Sequence, residues 1–233
     1  MKKHISILFI LLNTFIYSQN DSTLFFDEYN ISINTVNSKN NNDYQIGFGF
    51  GAYHTFLSDK IINVLLGLEF NHTNQHLSGL KEGHFQHVSD VTFSINSLSI
   101  PLTTRINIGS KVKIFIETGI YADINLIAWM KGTRYSYVPN ENNQIEYKEY
   151  DISESTGITT FNYGISLGFG IKIPFFKHFI IVKPEYKLGL RTLYDYQTDL
   201  YNSYIRIVLA FKFNQKPKKN TKSKKEYLFD YIK

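Results

Sequence analysis

Large apolar side chains alternate with glycine or polar side chains through most of the chain, and this period of two restricts the fold more than any other feature. Residues 161–173 show it most regularly, with an aromatic or aliphatic residue at every odd position and Gly, Ser, Asn or Lys at every even one. Successive side chains of a β-strand point to opposite faces, so the pattern predicts strands with one apolar and one polar face. Helical spacing is nowhere sustained.

Eight segments carry the alternation. They are approximately Tyr29–Val36, Tyr44–Leu57, Ile61–Thr73, Phe93–Ile108, Lys113–Asn125, Phe161–Ile173, Phe179–Arg191 and Ser203–Phe213. Hydrophobic residues make up 43% of the chain and charged residues 19%, with 17 Tyr and 19 Phe, which excludes both a disordered chain and a helical membrane bundle. We predict an all-β fold of eight antiparallel strands in up-and-down order.

The apolar faces fit either the inside of a soluble barrel or sandwich or the lipid-facing outside of a transmembrane β-barrel. The opposite face is rich in Gly and carries charges of both signs, which favours a narrow barrel interior closed by ion pairs. We therefore predict a transmembrane barrel. Its predicted interior ionic network contains Glu69, Arg105, Glu117, Asp123, Lys172, Lys183, Glu185 and Arg206.

The lengths of the connections also favour the membrane. Residues 37–43, 74–91, 126–160 and 192–202 form long or polar connections, whereas residues 58–60, 109–111 and 174–178 form short ones. Outer-membrane barrels have short periplasmic turns and longer outer loops. Because the predicted number of strands is even, both chain ends are expected on the periplasmic side.

The two ends of the chain differ from its body. Residues 1–18 combine Lys2 and Lys3 with an apolar run, which predicts a secretory signal peptide cleaved after Ser18. Residues 19–213 form the predicted barrel, with a net charge of −2, and residues 214–233 form a Lys-rich periplasmic tail. The body has no basic patch for nucleic acid, and the tail is expected to be a solvated cationic extension.

Several segments resemble the PorT-like outer-membrane β-barrel family of Bacteroidota. They are, in order, INSLSIPLTTRINI, ETGIYADINLIA, GISLGFGIKI, KPEYKLGLRTL and SYIRIVLAFKF, and the resemblance extends from about Tyr29 to Phe213. It implies a barrel in the outer membrane, the membrane lipid as a partner, and no single activity. Members of the family range from a component linked to type IX protein secretion to proteins with no assigned role.

The sequence offers few candidates for catalysis or metal binding. Four histidines, His72, His76, His84 and His87, lie in or beside one predicted outer loop, which we interpret as a polar solvated loop. His72 with Ser94, Ser97 or Thr73 would be the candidate constellation of a lipid-modifying enzyme, yet no nucleophile motif accompanies it. We expect no enzyme activity, no cofactor and no metal. The chain contains no Cys, which excludes disulfides and thiolate metal sites.

Further expectations concern the interior, two prolines and one loop. Side chains just fill an eight-stranded barrel, so the charges are expected to plug it, and Pro101 and Pro184 are expected to produce bulges. In the loop 126–160 we identify a candidate surface for a protein partner, formed by Trp129, Arg134, Tyr135 and Tyr137. Trp129 and Tyr121 also suit an aromatic belt at the membrane boundary.

The predicted role is non-catalytic: binding, envelope organisation or assistance to protein secretion, with an unknown protein partner. Two alternatives remain open at this point. One is a lipid-modifying enzyme of the outer membrane, and the other is a soluble periplasmic barrel with Phe48, Leu66 and Leu167 inside, around an apolar ligand.

Overall fold

The computed structural model describes residues 25–37, 44–57, 60–81, 86–139, 141–142, 144–194 and 197–213. The predicted signal peptide and the Lys-rich tail lie outside the described residues. The strands are β1 (Glu28–Asn37), β2 (Tyr44–Phe56), β3 (Ile62–Lys81), β4 (Gln86–Ile108), β5 (Lys113–Pro139), β6 (Ile145–Ser155), β7 (Phe161–Phe175), β8 (His178–Gly189), β9 (Thr192–Tyr194), β10 (Gln197–Tyr201) and β11 (Tyr204–Lys212). Within the described ranges, no helix has the length and apolar character needed to cross a membrane.

Eight of these strands close into a barrel. Its strands follow one another around the wall in the order β1, β2, β3, β4, β5, β7, β8 and β11, and β11 pairs with β1 to complete the circle. All eight pairings are antiparallel. The predicted all-β, eight-stranded antiparallel barrel is therefore confirmed.

The two ends of the barrel differ. At the turn end, short connections join β2 to β3, β4 to β5 and β7 to β8, and Glu28 of β1 lies opposite Lys212 of β11. At the other end, called the loop end below, β3, β4 and β5 continue well past the closed wall. β4 contains 23 residues and β5 contains 27, whereas a tilted membrane crossing needs about 9–11.

These extensions correct the predicted strand bounds. β3 continues to Lys81, β4 begins at Gln86 and β5 continues to Pro139, all within segments predicted as loops. β6 pairs with residues 129–139 of β5, and β9 pairs with β10 in a separate hairpin. The prediction failed because it required a strongly apolar face, which a strand outside the lipid does not need. Residues 75–81 of β3, 86–95 of β4, 128–139 of β5 and all of β6 are called the outer sheet below.

The predicted bulges at Pro101 and Pro184 are wrong. Pro101 pairs with Tyr121 and Pro184 with Ile207 in unbroken register. On the other side of each proline the ladder skips a few pairs and resumes without a shift. A missing N–H donor thus interrupts one ladder locally without adding a residue. The register between β4 and β5 shifts instead between Ser89 and Thr92 and between Asn96 and Ser97.

The outer wall is apolar. Leu167 is 59% exposed and Phe48 53%. Other apolar side chains on the outward face of their strands are exposed in the same way: Ile31, Ile33, Phe50, Leu66, Leu68, Ile116, Ile165, Phe169, Ile205, Ile207 and Leu209. An exposed apolar surface of this extent indicates contact with lipid or with another protein rather than with water. The same exposure contradicts the soluble alternative, which placed Phe48, Leu66 and Leu167 inside.

Inward-facing glycines make room for aromatic rings in the narrow interior. A Cβ on Gly67 would lie 2.5 Å from the ring of Tyr53, and one on Gly164 would lie 2.5 Å from the hydroxyl of Tyr121. Tyr121 is only 3% exposed and points into the barrel, so its predicted place in a boundary belt is wrong. It has the parity of Glu117 and Asp123, which also face inward.

Candidate functional site

A chain of ion pairs with alternating charge runs through the barrel interior. Glu28 pairs with Arg105 at 2.8 Å, and Arg105 pairs with Glu117 at 2.6 Å. The chain continues from Glu117 through Lys183, Glu185, Arg206 and Glu69 to Lys187, with N–O distances between 2.5 and 3.0 Å. Each charge between the two ends of this chain therefore lies between two charges of opposite sign.

Glu69 is the most highly connected residue of this network. Its two carboxylate oxygens accept hydrogen bonds from both terminal nitrogens of Arg206, at 2.8 and 3.0 Å, and from Lys187 at 2.7 Å. The Tyr53 hydroxyl and the Asn30 amide donate to it as well. A buried carboxylate needs several such donors to offset its loss of hydration.

The ion pairs cross the interior rather than follow the wall. Lys187 of β8 and Glu69 of β3 stand on opposite sides of the barrel, yet their charged atoms are 2.7 Å apart. Among the described residues, six acids and six bases are buried: Asp27, Glu28, Glu69, Glu117, Asp123 and Glu185 against Arg105, Lys172, Lys183, Lys187, Arg206 and Lys212. The interior is thus filled and has no net charge, which fits a plug better than an ion path.

The structure brings together six of the eight residues predicted for the network. Lys172 instead places its Nζ 4.2 Å from the centre of the Phe179 ring, near the turn end. Asp123 is fully buried near Ser99 and Lys187, but neither of its carboxylate oxygens accepts a hydrogen bond within 3.5 Å from a donor among the described residues. Neither residue forms an ion pair within the described part of the chain.

Sequence reasoning missed four members. Glu28 and Lys187 complete the chain of charges, and Lys212 pairs with Asp27 at 2.7 Å beside the turn end. Lys187 could have been found, because it has the parity of Lys183 and Glu185 on the same strand. Asp27 and Glu28 precede the predicted first strand, where no alternation pointed to them.

Several buried polar atoms on the loop side of the network, besides those of Asp123, have no hydrogen-bond partner among the described residues. They include the hydroxyls of Ser97, Tyr121 and Tyr204 and the amide nitrogens of Asn162 and Asn202. Asn162 lies directly opposite Asp123 in the ladder between β5 and β7. Buried polar groups of this kind are normally satisfied by ordered water.

This environment predicts that Asp123→Asn stabilises the barrel. The change keeps the shape of the side chain and removes a buried charge without an ion-pair partner, so the free energy of unfolding should rise by about 1–3 kcal/mol. Glu117→Gln is the matched control, because it removes a paired carboxylate and should lower the same quantity by about 1–3 kcal/mol. Urea titration of the chain refolded into lipid vesicles measures both, and a loss of stability in Asp123→Asn would contradict the assignment.

An apolar cluster closes the loop end above these polar groups. It joins β3, β4, β5, β6 and the β9–β10 hairpin through Leu80, Val88, Val91, Phe93, Ile95, Ala128, Met130, Ile152, Leu193 and Leu200. Phe93 and Ile95 continue the inward parity of β4 and are fully buried. The outer sheet therefore has an apolar core of its own, which packs it against the β9–β10 hairpin at the loop end of the barrel.

The predicted partner surface is divided between two faces of the outer sheet. Trp129, Tyr135 and Tyr137 have the same parity on β5, and Tyr137 is 51% exposed. Arg134 lies on the opposite face, where it pairs with Glu154 at 2.5 Å. The ring of Tyr135 stacks against His87 and Tyr147, with centroids 4.7 and 5.8 Å away. Tyr147 was not among the predicted residues.

The histidines do not form a metal site within the described residues. No group of three or more His, Cys, Asp or Glu side chains there could hold a metal ion, and His84 lies outside those residues. His72 donates from Nδ1 to the Asn96 amide oxygen at 2.8 Å, and the Ser94 hydroxyl donates to Asn74 at 2.7 Å. Thr73 and Ser97 face the interior. The predicted constellation of His72 with a hydroxyl is therefore not assembled.

The sequence match to a known family agrees with this geometry. Residues 17–195 match the family described as outer membrane protein beta-barrel domain. The chain belongs to this family. An outer-membrane barrel explains the exposed apolar wall, because lipid covers it. A comparison with curated proteins gave no match.

Two solved structures resemble the chain. Ail, the attachment invasion locus protein of Yersinia pestis, is 14% identical, with 80% of this chain and 98% of Ail covered at a TM-score of 0.36. The N-terminal barrel domain of Pseudomonas aeruginosa OprF is 11% identical, with 81% and 98% covered at a TM-score of 0.32. Both likenesses are low, so the family assignment rests on the sequence match.

Proposed function

We propose that this outer-membrane barrel is a non-catalytic display protein. The observation that carries the proposal is the contrast between its two parts. The barrel is filled by crossing ion pairs and capped by the outer apolar cluster, while the outer sheet extends beyond the lipid-covered wall. A filled barrel whose outer sheet has an apolar core of its own is suited to hold a binding surface away from the membrane.

The proposed orientation places both chain ends and the turn end in the periplasm and the outer sheet outside the cell. Short turns on the periplasmic side and long extensions on the other are the general arrangement of such barrels. The partner is a protein of the cell envelope or of its surroundings. The resemblance to PorT-like proteins of Bacteroidota extends this proposal to an accessory role in protein secretion or in envelope organisation.

The orientation can be tested with single cysteines, because the chain has none of its own. Ser153 is exposed on the outer sheet, and Lys177 is exposed in a turn at the opposite end. A membrane-impermeant maleimide should label Ser153→Cys in intact cells and Lys177→Cys only after the outer membrane is permeabilised. Equal labelling of both in intact cells, or the reverse order, would contradict the proposed topology.

The display role is tested at the same positions with a photo-crosslinking amino acid. A partner should be crosslinked from position 153 and not from position 177. If no position on the outer sheet yields a crosslinked protein in cells, the proposed role as a display protein is wrong.

A further inference from the structure

One edge of the outer sheet is open. β5 pairs with β7 only through Lys113–Ile124, and beyond that point it pairs with β6. β6 has no partner on its other side among the described residues. An unpaired edge presents a row of free backbone N–H and C=O groups, to which another strand can add.

The register shows which residues carry these open groups. The backbone N–H of Thr156 donates to the carbonyl of Ala128, so even-numbered residues of β6 point their N–H and C=O groups towards β5. In an antiparallel ladder the pairs alternate, so odd-numbered residues point these groups outward. The open groups of β6 therefore belong to Ile145, Tyr147, Glu149, Asp151, Ser153 and Ser155.

Two common devices for protecting an edge, a proline and a bulge, are missing from β6. The strand contains no proline, and its eleven pairs with β5 run without a bulge. Ile152 is its only buried residue. Charged side chains protect many edges, and on β6 they are mostly acidic. Glu146 lies 4.0 Å from Lys148 and Glu154 pairs with Arg134 of β5, which leaves Glu149 and Asp151 without an ion pair to any described residue. This edge repels acidic strands and attracts basic ones.

The side chains beside the open groups add an apolar contact. Tyr147 lies opposite Tyr137, with ring centroids 5.5 Å apart, and Ile145 is 74% exposed at the end of the same face. Glu149 and Asp151 follow on this face, and Asp151 accepts a hydrogen bond from the Thr133 hydroxyl at 3.1 Å. A strand added here would meet apolar groups at one end and carboxylates along the rest.

A second copy of the chain does not fit this edge well. Both copies would bring the same β6 strand to the contact, and that strand carries four acidic residues and one basic residue. Two such edges would repel each other, because like charges on neighbouring strands destabilise a strand pair.

We propose that β6 captures an extended, basic segment of a protein partner by strand addition. The segment alternates Lys or Arg with apolar residues, pairs with the six outward-facing residues of β6, and places its charges near Glu149 and Asp151. In this mode the backbone hydrogen bonds provide affinity and the side chains provide selectivity. The inference rests on the proposed display role and specifies the surface and the chemistry of the partner.

The test uses the full chain in phosphatidylcholine nanodiscs and a fluorescent nine-residue peptide of alternating Lys and Val. Glu149→Pro removes one outward N–H and leaves the β5–β6 ladder intact, because prolines are tolerated where the N–H faces solvent. Glu149→Ala removes the same charge and keeps the N–H. We expect Kd to rise about tenfold in Glu149→Pro and no more than about threefold in Glu149→Ala.

Further controls separate backbone pairing from charge attraction. A fully N-methylated form of the peptide has the same charge and should not bind, and Ser153→Pro should repeat the effect of Glu149→Pro at another outward N–H. Heat-modifiable gel mobility checks that each variant is folded. The inference is overturned if the peptide binds Glu149→Pro as it binds the unchanged protein, if the N-methylated peptide binds equally, or if Tyr147→Ser alone abolishes binding.

Crosslinking in cells distinguishes a failure of strand addition from a failure of the display role. A partner that is crosslinked from position 153 in cells, and remains crosslinked in Glu149→Pro, would support display and overturn strand addition. A partner that is lost in Glu149→Pro and retained in Glu149→Ala would support strand addition in the cell.

Discussion

Replacing Glu69 with Gln is expected to lower the free energy of unfolding by about 3–5 kcal/mol. The change withdraws the carboxylate that accepts from both Arg206 and Lys187. Arg206 keeps its pair with Glu185, but Lys187 is fully buried and has no other ion-pair partner among the described residues. Lys187 would be left as an uncompensated charge in the barrel interior.

Urea titration in lipid vesicles, followed by the fluorescence of the single Trp129, measures the loss. The informative control is the double variant Glu69→Gln with Lys187→Met, which restores an interior without net charge. We expect it to recover at least about 2 kcal/mol of the loss, because the unpaired lysine is the main cost. A double variant that is no more stable than Glu69→Gln would show that this ion pair does not act as described.

Replacing Leu167 with Arg is expected to lower the free energy of unfolding by about 2–4 kcal/mol. Leu167 lies in the middle of β7 on the exposed apolar wall, where a guanidinium would have to enter the acyl chains. The same titration measures the effect. In a soluble barrel an arginine at an exposed position would cost little stability. A large loss therefore indicates that Leu167 faces lipid.

Ile108→Arg provides the matched control. Ile108 is also exposed, at 68%, but it ends β4 at the turn end of the barrel. An arginine near the interface can reach water, so the expected cost is about 0–1 kcal/mol. Equal losses at the two positions would contradict the assignment of the apolar wall to the lipid.

Much of the barrel and part of its interior could be predicted from the alternation of apolar and polar residues alone. Glu117 and Asp123, or Lys183 and Glu185, fall on the face opposite the aliphatic residues, and the structure buries all four. Parity assigns a side chain to a face without assigning it a partner. Asp123 and Lys172 were therefore grouped with the ion pairs, although the structure leaves both outside them.

The outer sheet was missed for a related reason. A strand in lipid needs an apolar outer face, and that requirement makes it visible in the sequence. Residues 75–81 and 86–92 are also strands, but they project beyond the barrel, where His and Ser side chains such as His87 and Ser89 are accepted on the outer face. β6 is exposed at almost every position, so its alternation gives no apolar signal at all.

The sequence by itself determined the class of the fold, the number of strands in the wall and which side chains face inward, because a strand between lipid and a narrow interior must alternate two unlike kinds of residue. Only the tertiary structure decided which charges meet, since Glu69 and Lys187 are 118 positions apart and become partners through closure of the barrel. It also decided that β5 leaves β7 and takes β6 as its neighbour, which creates the open edge. Long-range pairing and closure depend on register and geometry between distant strands, and a local pattern of side chains does not contain that information.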